Sequence, residues 1–105
     1  MEPRLQAADL GFFAALAMAG SLSAAARELR ITTAAVSKHL SQMEARLGVP
    51  LVNRTTRRMS LTVEGEVLLR HARRILAEMA ELDEQLGASR SKPSGLLRVN
   101  RSEER

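Results

Sequence analysis

Several residue types are missing or scarce in this chain of 105 residues, and each absence excludes a class of protein. There is no cysteine, which excludes a disulfide scaffold and a thiolate metal site and is compatible with a reducing compartment. No apolar run approaches the roughly 20 residues of a membrane span. The N-terminal MEPRLQAADL has acidic residues and no long apolar core, so it does not resemble a signal peptide. We therefore expect one small, soluble domain in the cytoplasm.

Aromatic residues are also scarce. Tyrosine and tryptophan are absent, and the only two phenylalanines are the adjacent Phe12 and Phe13. Binding of single-stranded nucleic acid usually needs exposed aromatic platforms, so that function is disfavoured relative to binding of a double strand. Alanine, leucine and methionine dominate the apolar 45% of the chain, which favours a helical fold.

The charge is unevenly distributed along the chain. Residues 27–58 contain seven Lys or Arg against two Glu, a balance of +5. Residues 62–87 contain three Arg against six acidic residues, a balance of −3. This asymmetry indicates a polyanion-binding region followed by an acidic helix, although two ordinary solvated surfaces would give the same counts.

Two short helices are predicted at the N-terminal end. The first runs from about Asp9, its expected N-cap, to Met18, and Gly20 is a stop signal. The second begins near Ser23, another expected N-cap, and ends at Leu29. The apolar residues of the first helix recur at helical spacing and are expected to face the core: Leu10, Phe13, Leu16 and Ala17.

A third helix follows after a very short connection. Thr32 is its expected N-cap, Gly48 its expected stop, and Pro50 prevents continuation. One apolar face is formed by Val36, Leu40, Met43 and Leu47. A helix, a short turn and a second helix form the helix-turn-helix arrangement, predicted here for residues 22–41.

The opposite face of the third helix is small, polar and cationic. It carries Ala34, Lys38, Ser41, Gln42 and Ala45, with Thr33 and Ser37 on one flank. Small residues permit close approach to the major groove, hydroxyls can bond phosphates or base edges, and Lys38 can reach a phosphate or a guanine. An ordinary solvated face is the alternative interpretation of this pattern.

A basic hairpin, or wing, is predicted next. Apolar residues on both sides, Leu51 with Val52 and Met59 with Leu61, flank a polar tip at residues 53–58. The tip contains Arg54, Arg57 and Arg58, and arginines at such a tip suit phosphates or a narrow minor groove.

The last predicted element is a long helix that begins after the N-cap candidate Thr62 and ends at Gly87. Its apolar residues are spaced four and three apart as in a heptad seam: Leu68, Ala72, Ile75, Met79, Leu82 and Leu86. From Thr62 to Leu86 the helix would span about 37 Å, which three short helices cannot cover. The seam therefore favours pairing with a second copy, and a core stripe packed on the chain's own helices is the alternative. A two-fold dimer would present two third helices to a two-fold DNA site.

No catalytic constellation is recognisable. His39 and His71 have no carboxylate pair or second histidine at ligand spacing, and no serine lies in a nucleophile elbow or phosphate loop. We therefore expect no metal, no cofactor and no enzymatic activity.

The segments GSLSAAA from Gly20, AVSKHLSQMEARLGVPL from Ala35, NRTTRRMSLTVEGE from Asn53 and ARRIL in the long helix together resemble the N-terminal region of LysR-type transcriptional regulators. The resemblance covers roughly residues 8–86 and is far more specific than a generic helix-turn-helix. It implies a winged helix-turn-helix DNA-binding domain with a dimerising linker helix. It also implies that GLLRV begins the first strand of an effector-binding domain missing from this chain, which we therefore expect to be a fragment; a tetramer is expected only with that domain.

Position by position, Thr33, Ala34, Ala35, Ser37 and Lys38 match DNA-contacting positions of the family, and Arg54 and Arg57 match its wing. The family often has glutamine or proline where Thr33 stands and serine or proline where Ala34 stands. Readout here is therefore expected to rely more on methyl contacts and DNA shape. The full predicted set of DNA-binding residues is Ser23, Thr32, Thr33, Ala34, Ala35, Ser37, Lys38, Ser41, Gln42, Arg54, Arg57 and Arg58.

The sequence thus predicts a mainly α fold, in which a winged helix-turn-helix (a three-helix core plus a short β wing) precedes a long dimerisation linker helix. The expected divisions are residues 1–61 for the DNA-binding domain, 62–87 for the linker helix and 88–105 for a hinge and tail. The predicted function is sequence-specific binding of double-stranded DNA by a homodimer that regulates transcription. The main alternative is a pure interaction module, in which the long helix is an assembly coiled coil and the basic face is incidental.

Overall fold

The computed structural model describes residues 4–54 and 59–91, the last four by their backbone only. In that part of the chain, four helices surround a core and two short strands form a wing, which confirms the predicted fold. The elements are α1 (Ala7–Ala19), α2 (Leu22–Leu29), α3 (Thr33–Leu47), β1 (Val52–Asn53), β2 (Ser60–Leu61) and α4 (Val63–Ser91). The predicted wing residues Arg57 and Arg58, the predicted strand at 96–99 and the tail lie outside the described residues.

The start of α1 differs from the prediction that Asp9 is its N-cap. Gln6 is the N-cap, and Asp9 is the third helical residue, where its Oδ2 accepts a hydrogen bond from the Gln6 backbone N–H at 2.9 Å. A carboxylate at this position satisfies an N–H that the helix itself leaves unpaired, and it interacts favourably with the helix dipole. At the other end, Gly20 takes the left-handed conformation with φ of 82°, as expected of a stop signal.

The N-cap of α2 is Ser21 rather than the predicted Ser23. The Ser21 Oγ accepts the Ala24 backbone N–H at 3.1 Å, which leaves Ser23 exposed in the first turn. The helix ends at Arg30, whose φ of 60° is left-handed although it is not a glycine. The following Ile31 N–H donates to the Ala26 carbonyl at 3.0 Å, which closes the turn before α3.

The predicted ends of α3 are confirmed, and its predicted apolar face is buried at Val36, Leu40 and Met43, whereas Leu47 is only half-buried. Thr32 caps the helix by accepting the Ala35 N–H at 3.0 Å, and Gly48 terminates it with φ of 75°. α1 packs against α2, and α2 against α3. The largest fully buried side chains are Phe13, Leu16, Val36, Leu40, Met43 and Leu51.

The wing and the start of α4 meet at Leu51. In the antiparallel pair, Val52 lies opposite Leu61 and Asn53 opposite Ser60. Thr62 caps α4 as predicted: its Oγ1 accepts the Gly65 N–H at 3.0 Å, while its hydroxyl donates to the Pro50 carbonyl at 2.8 Å. The Thr62 N–H donates to the Leu51 carbonyl at 3.0 Å. A Cβ at Gly65 would overlap that same carbonyl oxygen, so this close approach requires glycine.

The prediction that Gly87 ends α4 is wrong, because the helix continues to Ser91. A glycine inside a helix costs only about 1 kcal/mol, and the next proline in the sequence is Pro93. The chain divides into two compact units, residues 1–74 and residues 75–105, so the first unit includes the beginning of α4. No helix in the described part of the chain is both long and apolar enough to cross a membrane.

Candidate nucleic-acid interface

The face of α3 that turns away from the core carries most of the predicted DNA-binding residues. Val36, Leu40 and Met43 are fully buried, which fixes the rotation of the helix about its axis. Ala35 and Ser37 are half-buried at the edge of this face. The remaining predicted residues of the α3 region are exposed: Thr32, Thr33, Ala34, Lys38, Ser41 and Gln42. Small side chains at the first turn and longer polar ones further along give the helix a slim N-terminal end.

A cleft of about 330 Å³ brings together residues from α2, α3 and the wing. Ser23, Thr33, Asn53 and Arg54 all contribute to its lining, so three of the predicted DNA-binding residues share one surface. Asn53, which the sequence analysis did not select, also donates from Nδ2 to the Ser60 Oγ at 3.3 Å. The cleft thus joins the predicted parts of the interface.

Arg54 is ordered by an acidic residue that the sequence analysis counted only as a charge. Its Nη2 lies 3.1 Å from the Glu44 Oε1 and 3.4 Å from the Ser41 Oγ. The other carboxylate oxygen of Glu44 accepts the Leu51 N–H at 2.7 Å and the Val52 N–H at 3.4 Å. The sequence contains one sign of this contact. An acidic residue in the last turn of a helix opposes the helix dipole, so it needs a partner outside the helix.

A second polar link, which the sequence analysis also missed, joins α3 to α1. The Asp9 Oδ1 lies 2.8 Å from the His39 Nε2 and 3.3 Å from an Arg46 guanidinium nitrogen. The His39 ring stacks on Phe12 with 3.9 Å between centroids. Burial of Asp9 opposes ionisation, but the hydrogen bonds from His39 and the Gln6 N–H, together with the Arg46 charge, lower the pKa of this carboxyl. His39 therefore holds α3 against α1.

Metal-ligating groups do not cluster in the described residues: no three His, Cys, Asp or Glu side chains there are placed to hold a metal ion. His39 is engaged with Asp9 instead.

The predicted dimer seam on α4 divides between the two units. Leu68 and Ala72 are buried within the first unit of a single chain, so their side chains are not available to a partner. Both belong to the buried hydrophobic core, on the part of α4 that lies in the first unit. The other four seam residues belong to the second unit and are between 42% and 58% exposed: Ile75, Met79, Leu82 and Leu86.

A helix-turn-helix with a two-stranded wing and a cationic face on its second helix defines the winged helix-turn-helix class of DNA-binding domains. Comparison with known proteins gives the family. Residues 7–66 match the family model described as bacterial regulatory helix-turn-helix protein, lysR family. Because this match covers more than half of the chain, the chain belongs to the LysR family of bacterial transcriptional regulators.

Relatives and solved structures agree with this assignment. The chain is 44% identical over 92 residues to the HTH-type transcriptional regulator CrgA of Neisseria meningitidis serogroup C, covering 88% of this chain and 31% of that protein. It is 38% identical over 91 residues to DmlR of Escherichia coli K12, covering 87% and 30%. A crystal structure of a CbnR DNA-binding domain in complex with DNA matches with a TM-score of 0.72 and 33% identity, over 80% of this chain and 97% of that one.

The comparisons establish a DNA-binding domain of a transcriptional regulator and not an enzyme. The chain spans less than a third of the length of the curated relatives cited above. The activities of a longer protein are therefore a matter for proposal.

Proposed function

We propose that this domain binds double-stranded DNA in a sequence-dependent way, with α3 as the recognition helix in the major groove and Arg54 on the adjacent backbone. The observation that carries the proposal is the exposed face of α3, where Lys38, Ser41 and Gln42 lie on one side of a helix with a slim N-terminal end. That face has the size and the donors that the major groove accepts. The similarity to a domain solved with DNA supports the same geometry.

Hydrogen bonding at the helix N-termini refines the predicted roles of the hydroxyl groups. The Thr32 Oγ1 accepts a helical N–H, and its O–H can still donate to a phosphate oxygen. Ser23 and Thr33 line the cleft beside Arg54 and can donate to the same strand of DNA. Arg57 and Arg58 are proposed backbone contacts on the strength of the sequence alone.

Salt titration tests the proposal. A duplex recovered by selection from a random-sequence library is the probe, and a duplex of scrambled sequence is the control. We expect log K for the selected duplex to fall linearly with log salt, with a slope of about −0.9 for each phosphate contacted. Affinity should be greater for the selected duplex. Failure to bind either duplex would exclude DNA binding, and equal affinity for both would exclude sequence readout.

We further propose that two chains associate through the apolar face of the second unit to form a homodimer on a two-fold operator. Ile75, Met79, Leu82 and Leu86 repeat at spacings of four, three and four, and each is at least 42% exposed in a single chain. Exposed apolar residues in a heptad pattern are typical of helix pairing. A two-fold pair would place two recognition helices on successive half-sites.

Sedimentation of the double variant Ile75→Glu/Met79→Glu tests the dimer. We expect monomers, because two carboxylates on each side of the seam would have to be desolvated together. Ala77→Glu/Ala80→Glu is the matched control, since both alanines are exposed and lie on the opposite side of the helix. A dimer that survives the first change would rule out this seam.

For the longer protein, we propose that an effector-binding domain controls the activity of this DNA-binding domain, as the family resemblance implies. A regulator of this bacterial type acts where the chromosome is, so a cytoplasmic location is part of the proposal.

A further inference from the structure

Glu44 connects the end of α3 with the first residues of the wing. Its Oε2 accepts hydrogen bonds from two successive backbone N–H groups, those of Leu51 and Val52. Its Oε1 accepts from the Arg54 guanidinium at 3.1 Å. The side chain is only 18% exposed, so its rotamer is constrained by packing as well as by bonding. The Glu44 carboxylate thus holds both the backbone at the start of the wing and the guanidinium of Arg54.

The Arg54 guanidinium is held over the exposed face of α3. Its Nη2 makes the contacts with Glu44 and with Ser41. The other two nitrogens of this guanidinium make no hydrogen bond to the described residues. A guanidinium has five N–H donors in a planar fork, so donors remain for a phosphate oxygen. With 42% of its side chain exposed, Arg54 is accessible to such a ligand.

Ordering Arg54 in advance has an energetic consequence. A long flexible side chain loses rotamer entropy when a ligand immobilises it, and that cost weakens binding. The Glu44 carboxylate restricts the Arg54 side chain before any ligand binds. The restricted guanidinium lies beside Ser41 on the exposed face of α3. Two backbone amides and the guanidinium donate hydrogen bonds to the Glu44 carboxylate, which lowers its repulsion of an approaching phosphate.

We propose that Glu44 is a positioning residue for DNA binding, which holds Arg54 beside Ser41 so that the guanidinium meets a backbone phosphate in register with α3. The inference rests on the proposed DNA contact of Arg54. It adds Glu44, which does not touch DNA itself but determines how well Arg54 contacts the backbone phosphate.

A double-mutant cycle in the full chain tests this role. The variants are Glu44→Gln, Arg54→Ala and the combination, measured with the selected duplex over a range of salt. Glutamine keeps an oxygen that can accept the Leu51 N–H but removes the charge that holds Arg54. We expect Glu44→Gln to weaken binding about twofold to fivefold, which lies within the range of a partly exposed charge pair. In the Arg54→Ala background the same change should cause no further loss, and both single variants should have a shallower salt slope.

Three other outcomes overturn the inference. A gain in affinity in both backgrounds would mean that Glu44 merely repels DNA. An equal loss in both backgrounds would mean that it only stabilises the wing. No effect of Arg54→Ala would remove the assigned phosphate contact of Arg54 and with it this inference, while sequence-dependent binding by the unmodified chain would leave the proposed role of α3 intact. If the unmodified chain binds neither duplex, the proposed function itself fails.

Folding of each variant is checked by circular dichroism. Should Glu44→Gln fail to fold, Glu44→Asp replaces it, because the shorter carboxylate keeps its charge but cannot reach both the amides and Arg54. The loss of DNA affinity caused by Glu44→Asp should again be absent in the Arg54→Ala background. A loss that is independent of Arg54 would contradict positioning.

Discussion

Asp9 of α1 and His39 of α3 lie 2.8 Å apart between Oδ1 and Nε2, which ties the proposed recognition helix to the first helix of the chain. The carboxylate is almost completely buried, and Arg46 and the Gln6 N–H also donate to it. A buried charge with several donors stabilises a fold only while all its partners remain, since each partner left alone keeps its desolvation penalty.

Replacement of Asp9 by asparagine should therefore destabilise the domain. The asparagine side chain has no negative charge to attract Arg46. Its NH2 group also cannot accept a hydrogen bond as the second carboxylate oxygen does. We expect the free energy of unfolding to fall by about 1–3 kcal/mol, measured by urea denaturation. Asp83→Asn is the matched control, because Asp83 is exposed on α4, and it should change stability by less than about 0.5 kcal/mol. Equal effects of the two changes would contradict a special role for Asp9.

The lowered pKa of Asp9 predicts a dependence of stability on pH. Because the folded-state pKa lies below the ordinary value of 3.8, the native state keeps this carboxylate ionised where the unfolded chain begins to protonate it. Its contribution is present in full above the ordinary pKa and is lost as pH falls through the folded-state pKa. Unfolding midpoints between pH 5 and 2 should fall less steeply in Asp9→Asn than in the parent. Parallel curves would mean that another carboxylate dominates acid unfolding.

Gly65→Ala should be strongly destabilising, because the added Cβ overlaps the Leu51 carbonyl oxygen and neither backbone segment can move freely. We expect a loss of about 1–3 kcal/mol, the usual cost of overpacking, measured by thermal unfolding. Gly11→Ala is the control: it lies inside α1 with open space around its Cβ position, and it should stabilise the chain by about 0.5–1 kcal/mol. A neutral Gly65→Ala would mean that the first turn of α4 can separate from Leu51.

Lys38→Ala should weaken DNA binding without affecting the fold, since Lys38 is exposed on α3 and lies away from the core. If the lysine contacts a phosphate, the magnitude of the salt slope should decrease by about 1, and affinity should fall for the selected and scrambled duplexes alike. If it contacts a base, the loss should be confined to the selected duplex. Arg74→Ala removes the same charge from an exposed position on α4 and serves as the control. Identical effects of the two substitutions would leave Lys38 without a specific role.

Local signals in the sequence predicted most of the architecture. Thr32, Thr62 and Gly48 mark helix ends by their own side chains or conformational freedom, so their positions could be read directly. Ser21 and Ser23 are equally good N-cap residues two positions apart, so residue type alone does not decide between them, and the structure uses Ser21. Gly87 was misleading because a single glycine weakens a helix without ending it.

Contacts between residues distant in sequence could not be predicted in this way. The two side-chain partners of Asp9, His39 and Arg46, are 30 and 37 residues away, and neither spacing corresponds to a local structural pattern. The burial of Leu68 and Ala72 likewise depends on how the beginning of α4 packs, while the heptad spacing alone is the same for a core stripe and for a partner seam. The unfavourable position of Glu44 in the last turn of a helix was a local sign of a contact outside that helix, with residues 7 to 10 positions further along the chain.

Leu51 has both of its backbone polar groups committed to different helices: its N–H is bonded to Glu44 of α3, and its carbonyl to the Thr62 N–H at the start of α4. These two groups belong to successive peptide units that meet at the Leu51 Cα, and peptide planes themselves are stiff. A displacement between the end of α3 and the first turn of α4 must therefore rotate the φ and ψ of Leu51 or break one of these bonds. A pull exerted on the beginning of α4 would therefore be passed through a single residue to the end of α3, whose exposed face is the proposed recognition surface.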